Sequence, residues 1–217
     1  MAPDIKICGL TTRESILAAV GAGATHIGFV FFPKSPRNLT LEAAHGLRNA
    51  LPSKVKLVAL VVDAPDDLLS QVMAAARPDV LQLHGAEAPE RVADIRRRHG
   101  VETWKATGVR TSADVSAARA FDGVADLLLF DAKPPTPPAG ETVVPGGTGI
   151  RFDWRLVQDL RLNGRWGLAG GLDAQSVGEA IRLTRPHLVD VSSGVEDAPG
   201  VKSVSRIEAF IKAARNA

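Results

Sequence analysis

Short apolar runs alternate along the chain with longer stretches in which apolar residues recur every three or four positions. Residues 5–8, 26–31, 56–62, 80–84, 103–107, 127–131, 167–169 and 188–192 have the length and content of buried strands. A helical pattern follows each, over residues 12–20, 41–50, 65–76, 89–99, 113–119, 153–160, 174–183 and 204–214. Start signals mark several of these helices. Thr11 and Glu14 are spaced as a capping box, and Thr40, Ser112 and Asp173 stand at N-cap positions. Pro65 and Pro89 fall in first turns, where a missing N–H costs nothing.

Strands that alternate with helices through short turns predict parallel βαβ units. Eight such units predict an α/β chain closed into a single (β/α)8 TIM barrel, one catalytic domain over residues 1–217. A doubly wound open sheet usually has fewer units, and no Gly-x-Gly-x-x-Gly turn follows the first strand. The Pro-rich residues 134–138 fall between units six and seven. Residues 133–148 therefore read as a long βα loop, either an active-site loop or a passive insertion.

Alternation along each strand sorts side chains between helices and lumen. It predicts Lys6 and Cys8 inward on the first strand, with Ile5 and Ile7 toward the helices. The same reading turns Gln82 and His84, Thr103 and Lys105, Leu129 and Asp131, and Asp190 and Ser192 inward. A buried charge needs a partner. Lys6 and Asp190, on the adjacent first and last strands, are therefore expected to pair.

The composition changes this picture little. Of 217 residues, 45% are hydrophobic and 23% charged, ordinary for a globular chain, and the net charge is +2. Neither nucleic-acid binding nor a membrane span is expected. Arg96-Arg97-Arg98 reads as a solvated helix end, and the most apolar run, residues 57–62, is too short to cross a bilayer. The N-terminal residues lack the pattern of a secretory signal, and the single cysteine fits a reducing, cytoplasmic setting. Protein partners are left open.

That cysteine, Cys8, stands at the end of the first strand before Gly9, where α/β proteins place catalytic side chains. A small buried apolar residue is the competing reading. Gly170-Gly171 and Ser192-Ser193-Gly194 follow strands seven and eight, the loops at which barrels bind phosphate through backbone N–H groups. A third segment, Pro145-Gly146-Gly147-Thr148-Gly149, is placed to close over the site. Arg37 follows strand two. A guanidinium suits a carboxylate, although a solvated loop arginine fits equally. His84 either orients Cys8 or satisfies a polar lumen, and the second reading is preferred. Trp104, Trp154 and Trp166 read as core.

Several segments together resemble phosphoribosylanthranilate isomerase. They are Lys6-Ile7-Cys8-Gly9-Leu10, Gly28-Phe29-Val30-Phe31, Ser35-Pro36-Arg37, Gln82-Leu83-His84-Gly85, Leu129-Phe130-Asp131, Gly146-Gly147-Thr148-Gly149 with Phe152-Asp153-Trp154, Leu168-Ala169-Gly170-Gly171-Leu172, and Asp190 through Glu196, in order over the whole chain. The resemblance implies a cofactor-free Amadori rearrangement of a phosphorylated anthranilate aminoaldose in tryptophan biosynthesis. It implies Cys8 as general base, Asp131 as general acid and Arg37 at the anthranilate carboxylate. Substrate is then expected at Arg37, Gly147, Gly170, Gly171, Ser192, Ser193 and Gly194, with Lys6, Gln82, His84 and Asp190 supporting a polar lumen. One departure is Ser203, where the family more often has aspartate; serine can also cap the last helix.

Three rivals remain at this level. A phosphosugar epimerase would gather metal ligands at strand ends, yet of five histidines only His84 ends a predicted strand, and no metal is expected. An indole-glycerol-phosphate synthase would need a catalytic lysine–glutamate set, for which an inward Lys105 is a candidate, but it leaves the Cys8 motif unexplained. A non-catalytic phosphometabolite-binding barrel would need neither Cys8 nor Asp131.

Overall fold

The computed structural model describes residues 2–133, 147 and 149–217. Eight parallel strands run β1 (Asp4–Cys8), β2 (His26–Phe31), β3 (Lys56–Val61), β4 (Val80–Leu83), β5 (Glu102–Val109), β6 (Leu127–Ala132), β7 (Arg165–Leu168) and β8 (Leu188–Val191). Each pairs with the next, and β8 returns to β1, which closes the barrel. The closing register sets Lys6 opposite Asp190.

Among the described residues, seven helices surround it: α1 (Arg13–Ala22), α2 (Leu41–Arg48), α3 (Asp66–Ala76), α4 (Pro89–His99), α5 (Ser112–Ala118), α6 (Val177–Thr184) and α7 (Val204–Arg215). The helix expected over 153–160 is only a 3-10 turn, Trp154–Leu156. Its bonds skip three residues, from the N–H of Leu156 to Asp153 O, of Val157 to Trp154 O and of Leu160 to Val157 O. Asp153 caps this single turn by accepting from the Arg155 N–H at 3.1 Å. The Asp122 carboxylate also takes the N–H groups of Asn163 and Gly164, turning the chain into β7.

Two apolar layers hold the barrel. Outward-facing strand residues such as Ile5, Ile7, Phe29, Leu81, Phe130 and Val189 pack beneath the helices. A second cluster of Val58, Val80, Trp104, Ala106, Leu127, Leu129, Ala169 and Leu188 fills the lower lumen. This corrects the expected direction of β5. Trp104 and Ala106 face the lumen, and Thr103 and Lys105 face the helices. The β4–β5 register pairs Gln82 with Trp104, so the lumen-facing glutamine carries the tryptophan inward with it. The lower lumen excludes water and takes the large indole, which packs against the His26 ring with centroids 5.2 Å apart. Trp166 lies outside the strands against Phe130.

Caps also moved. The extended residue before α1 is Thr12, whose hydroxyl accepts from the Ser15 N–H at 3.2 Å, so the Thr11–Glu14 box does not form. Thr111, not Ser112, caps α5 in a box with Asp114. Thr40 caps α2 as expected. Asp173 accepts from the N–H groups of Gln175 and Ser176 in the turn leading to α6. Ser203 precedes α7 without a side-chain cap bond. After β8 the chain forms a small hairpin, β9 (Glu196–Ala198) and β10 (Val201–Lys202). Among the described residues, no helix is long and apolar enough to cross a membrane.

The Thr12 cap predicts that Thr12→Ala lowers unfolding free energy by about 1 kcal/mol while Thr11→Ala changes it little. Urea denaturation of the two variants checks this; equal losses would contradict the cap assignment.

Candidate active site

The carboxyl ends of the strands enclose a cavity lined by Cys8, Arg37, Gln82, His84, Asp131, Gly147, Gly170, Gly171, Asp190, Ser192 and Ser193. These are nearly all the residues singled out in the sequence. Lys6 is fully buried, and Gly194 does not line the cavity. A side chain at Gly194 would strike the Leu172 carbonyl, so its lack of one lets the loop after β8 pack on the loop after β7. Of the segment 145–149, residues 145, 146 and 148 lie outside the described residues, as does most of the 133–148 loop.

Between the apolar floor and the mouth, the lumen is charged. Lys6 Nζ donates to Asp190 Oδ2 at 2.8 Å, the pair expected from the strand order. Burial opposes the lysine charge, but the carboxylate outweighs it and holds Lys6 above its ordinary range. Two residues higher on β1, on the same face, sits Cys8, 5% exposed. Burial pushes its thiol up, while the Lys6 ammonium pulls it down. Gly28 pairs with Cys8 across β1 and β2, and a Cβ there would come 3.0 Å from the sulfur. Glycine at this point keeps the space around the thiol open.

Asp131 ends β6 on the other side. Burial raises its carboxyl from the ordinary 3.8 to about 7, and the nearby Asp190 charge adds to this. The Ala132 N–H, donating to Oδ1 at 2.7 Å, works in the opposite direction. Its Oδ2 lies 3.4 Å from His84 Nε2. Burial, with the cations Lys105 and Lys6, lowers that imidazole to about 3. Near neutral pH, then, a carboxyl that keeps its proton in a substantial share of molecules faces a neutral imidazole.

Arg37 is not a solvated loop residue. It is 6% exposed, and its Nε and Nη2 each donate at 2.7 Å to one oxygen of Glu196. Glu196 also accepts from Lys202 Nζ at 2.7 Å, and Lys202 reaches the Ser192 carbonyl at 2.9 Å. Two cations therefore share one carboxylate, leaving a net positive charge at this rim. The sequence pattern alone does not single out Glu196 or Lys202 as site residues. The Pro199-Gly200 turn between two short extended segments was the signal for the hairpin that brings them together.

In the loop after β7, Gly170 and Gly171 have φ of 84° and 63°, conformations that favour glycine. Among the described residues, the N–H groups of Gly171, Ser193 and Gly194 donate to no backbone carbonyl. Such free amides at closely approachable backbone suit an anion. No group of three or more metal-ligating side chains occurs among the described residues.

Cysteine, carboxylic acid, anion-binding loops and a guanidinium converge at one barrel mouth, and the family comparison agrees with that combination. The model of N-(5′-phosphoribosyl)anthranilate isomerase matches residues 5–213. The chain belongs to this family. It is an isomerase of tryptophan biosynthesis. The chain is 50% identical to the phosphoribosylanthranilate isomerase of Parvibaculum lavamentivorans over the full length of both proteins. The phosphoribosylanthranilate isomerase structure from Thermotoga maritima superposes with a TM-score of 0.85 at 36% identity, covering 99% of this chain and 100% of that one. Another solved phosphoribosylanthranilate isomerase, at TM-score 0.84 and 33% identity over 99% and 100% of the two chains, holds reduced 1-(o-carboxyphenylamino)-1-deoxyribulose 5-phosphate. Membership in the isomerase family removes the epimerase, synthase and non-catalytic readings. An inward catalytic Lys105 is also excluded by the direction of β5.

Asp131 makes the isomerase's stability pH-dependent. Its folded value lies above its unfolded one, so the folded state holds the extra proton and gains relative stability at low pH. That advantage is lost as pH rises from about 4 through about 7. Asp131→Asn is therefore expected to match wild type near pH 4 and exceed it by a few kcal/mol, on the order of the shift, at pH 8. Denaturant unfolding at the two pH values checks this; a pH-independent difference would contradict the raised value.

Proposed function

We propose that Asp131 is the general acid and Cys8 the general base of the rearrangement of N-(5-phosphoribosyl)anthranilate to 1-(2-carboxyphenylamino)-1-deoxyribulose 5-phosphate. The observation that carries this reading is the buried Asp131 carboxyl, raised to about 7, in the same cavity as the thiol. An acid for this reaction must hold its proton before the substrate changes.

Asp131 gives that proton to the furanose ring oxygen as the C1′–O bond breaks. The anilino nitrogen supplies the electron pair and becomes an iminium. The iminium acidifies C2′–H, and the Cys8 thiolate removes that proton to leave an enolamine. Transfer of a proton from O2′ to C1′ then yields the aminoketone. The substrate gains one proton from Asp131 and gives one to Cys8, so transfer of a proton from the Cys8 thiol to the Asp131 carboxylate, through solvent, restores both residues for the next turnover. The thiolate is the competent base, and burial disfavours it. Lys6 offsets that cost before substrate arrives, and the cationic iminium would offset more of it when needed.

The substrate's two anionic ends fit these two sets of donors. The amides of Gly171 and Ser193, with Gly170 and Ser192 shaping the approach, are assigned to the phosphate, and Gly194 serves the loop packing behind them. Arg37 is assigned to the anthranilate carboxylate. Its Nη1 is the guanidinium nitrogen not committed to Glu196, and Gly147 leaves room beside it. Gln82 and Asp190 line the middle, within reach of ribose hydroxyls. The phosphorylated product analogue in the solved relative supports a phosphorylated small molecule as ligand here.

Cys8→Ala and Asp131→Asn are each expected to lower kcat by roughly 100- to 10,000-fold with the fold intact. The assay follows loss of anthranilate fluorescence from freshly generated substrate, with chelator present. Near-wild-type turnover by either folded variant removes that residue from the mechanism.

A further inference from the structure

Lys105 and Glu87 form a buried ion pair just outside the cavity, with side chains 4% exposed and Nζ to Oε2 at 2.7 Å. Neither lines the cavity that holds Cys8 and Asp131. Both grip the peptide groups that follow His84. Lys105 Nζ donates to Gly85 O at 2.7 Å, and Glu87 accepts from the Gly85 N–H at 2.9 Å. Glu87 also accepts from the Asp63 N–H at 3.0 Å, and Asp63 accepts from the Ala86 N–H at 2.7 Å. His84 itself donates its N–H to Val61 O at 2.9 Å. The backbone at His84 is thus anchored on both sides, and its imidazole points Nε2 toward Asp131 while its buried Nδ1 has no partner among the described residues.

The anchoring bears on one proton. His84 and Asp131 together hold either a neutral imidazole with a carboxylic acid or an imidazolium with a carboxylate. The two forms contain the same number of protons and differ only in which side chain carries one. Only the first can protonate the furanose oxygen directly from Asp131. The charged and titratable groups around the pair are Lys6 and Cys8 from β1, Arg37 from the loop after β2, Asp190 from β8 and Lys105 from β5, with Lys34, Asp63, Glu87, Asp114 and Lys133 around the adjoining cavity that His84 also lines. Asp190 is already engaged by Lys6, and Glu87 by Lys105.

We propose that Lys105 is a positioning residue for this reaction: anchored by Glu87, it pins the Gly85 peptide behind His84 and sets its positive charge against that imidazole, so that the proton shared by His84 and Asp131 stays on Asp131. Burial and the Lys105 charge, in that order, are what lower the His84 value to about 3. A cation behind the imidazole repels a second one, and a low-dielectric surrounding magnifies the effect. The proposal rests on Asp131 as the acid.

The test uses the full chain with 15N-labelled histidine. The imidazole resonances of wild type, Lys105→Gln and Lys105→Arg are followed from pH 5 to 8, with His84 assigned from a His84→Asn sample. Wild type is expected to show a neutral His84 throughout. Lys105→Gln keeps a donor for Gly85 but loses the charge. Its His84 should begin to protonate at the acid end of that range, and its kcat should fall roughly ten- to hundredfold, as for partners behind a reacting side chain, with KM changed much less. Lys105→Arg should restore the neutral His84 signal and most of kcat.

A protonated His84 in folded wild type would overturn the proposal without any variant, even if Lys105→Gln fails to fold. So would a folded Lys105→Gln with unchanged kcat and neutral His84. Equal losses in the Gln and Arg variants that track their melting temperatures would also overturn it, leaving Lys105 a structural role alone. Wild-type turnover by Asp131→Asn overturns the acid assignment and with it the catalytic half of the proposal. In that case the His84 titration still decides the electrostatic half.

Discussion

An ammonium buried at the centre of a barrel must be matched by an anion, and the Lys6–Asp190 pair is that match. It forms where the last strand meets the first, so closure of the barrel and neutralisation of its central charge are one event. Removing one partner would strand the other at a cost of about 3–5 kcal/mol. The surrounding dryness is what gives the pair its reach. The apolar floor of Val58, Val80, Trp104, Leu127, Leu129 and Leu188 limits water from below. Just above it, Lys6 bears on the Cys8 thiol, the Asp131 acid and the His84 imidazole at once. Desolvation pushes each of the three toward its neutral form, and the few buried charges adjust them individually.

The rim follows a different rule. Arg37 and Lys202 share the Glu196 carboxylate, so one carboxylate orders two cations without cancelling both. The same cluster ties the loop after β2 to the hairpin after β8, and Lys202 extends the tie to Ser192. Gly200 contributes by closeness. With φ of 82°, it lies where a side chain would run into the Pro36 carbonyl next to Arg37. In the loops after β7 and β8, glycines bring unpaired amides forward. The cavity thus offers anions two kinds of donor: a fixed guanidinium and backbone amides.

Most strands were legible because each is a short apolar run between turn signals, and the boundaries differ by one or two residues. The direction of β5 was not. Residues Thr103, Trp104, Lys105 and Ala106 alternate clearly, yet alternation alone does not say which set turns inward. The assumption that polar residues face the lumen holds near the mouth, for Cys8, Gln82, His84, Asp131 and Asp190. It fails at the floor, where the barrel packs like any core. The helix expected after β6 failed for a related reason. Its periodicity was real, but Asp122, distant in sequence, captures the chain ahead of β7.

The sequence by itself determined the repeating strand–helix unit, the strand ends that carry Cys8, His84 and Asp131, and the pairing of Lys6 with Asp190, because these follow from local periodicity and strand order. It also carried the family motifs. Only the tertiary structure decided which groups are desolvated and what stands behind them. The raised Asp131 acid, the lowered His84 imidazole, the Glu196 carboxylate shared by Arg37 and Lys202, and the Lys105–Glu87 anchor all depend on burial and on contacts between distant residues. Burial and long-range charge are properties of the closed barrel, and no single segment of the chain contains them.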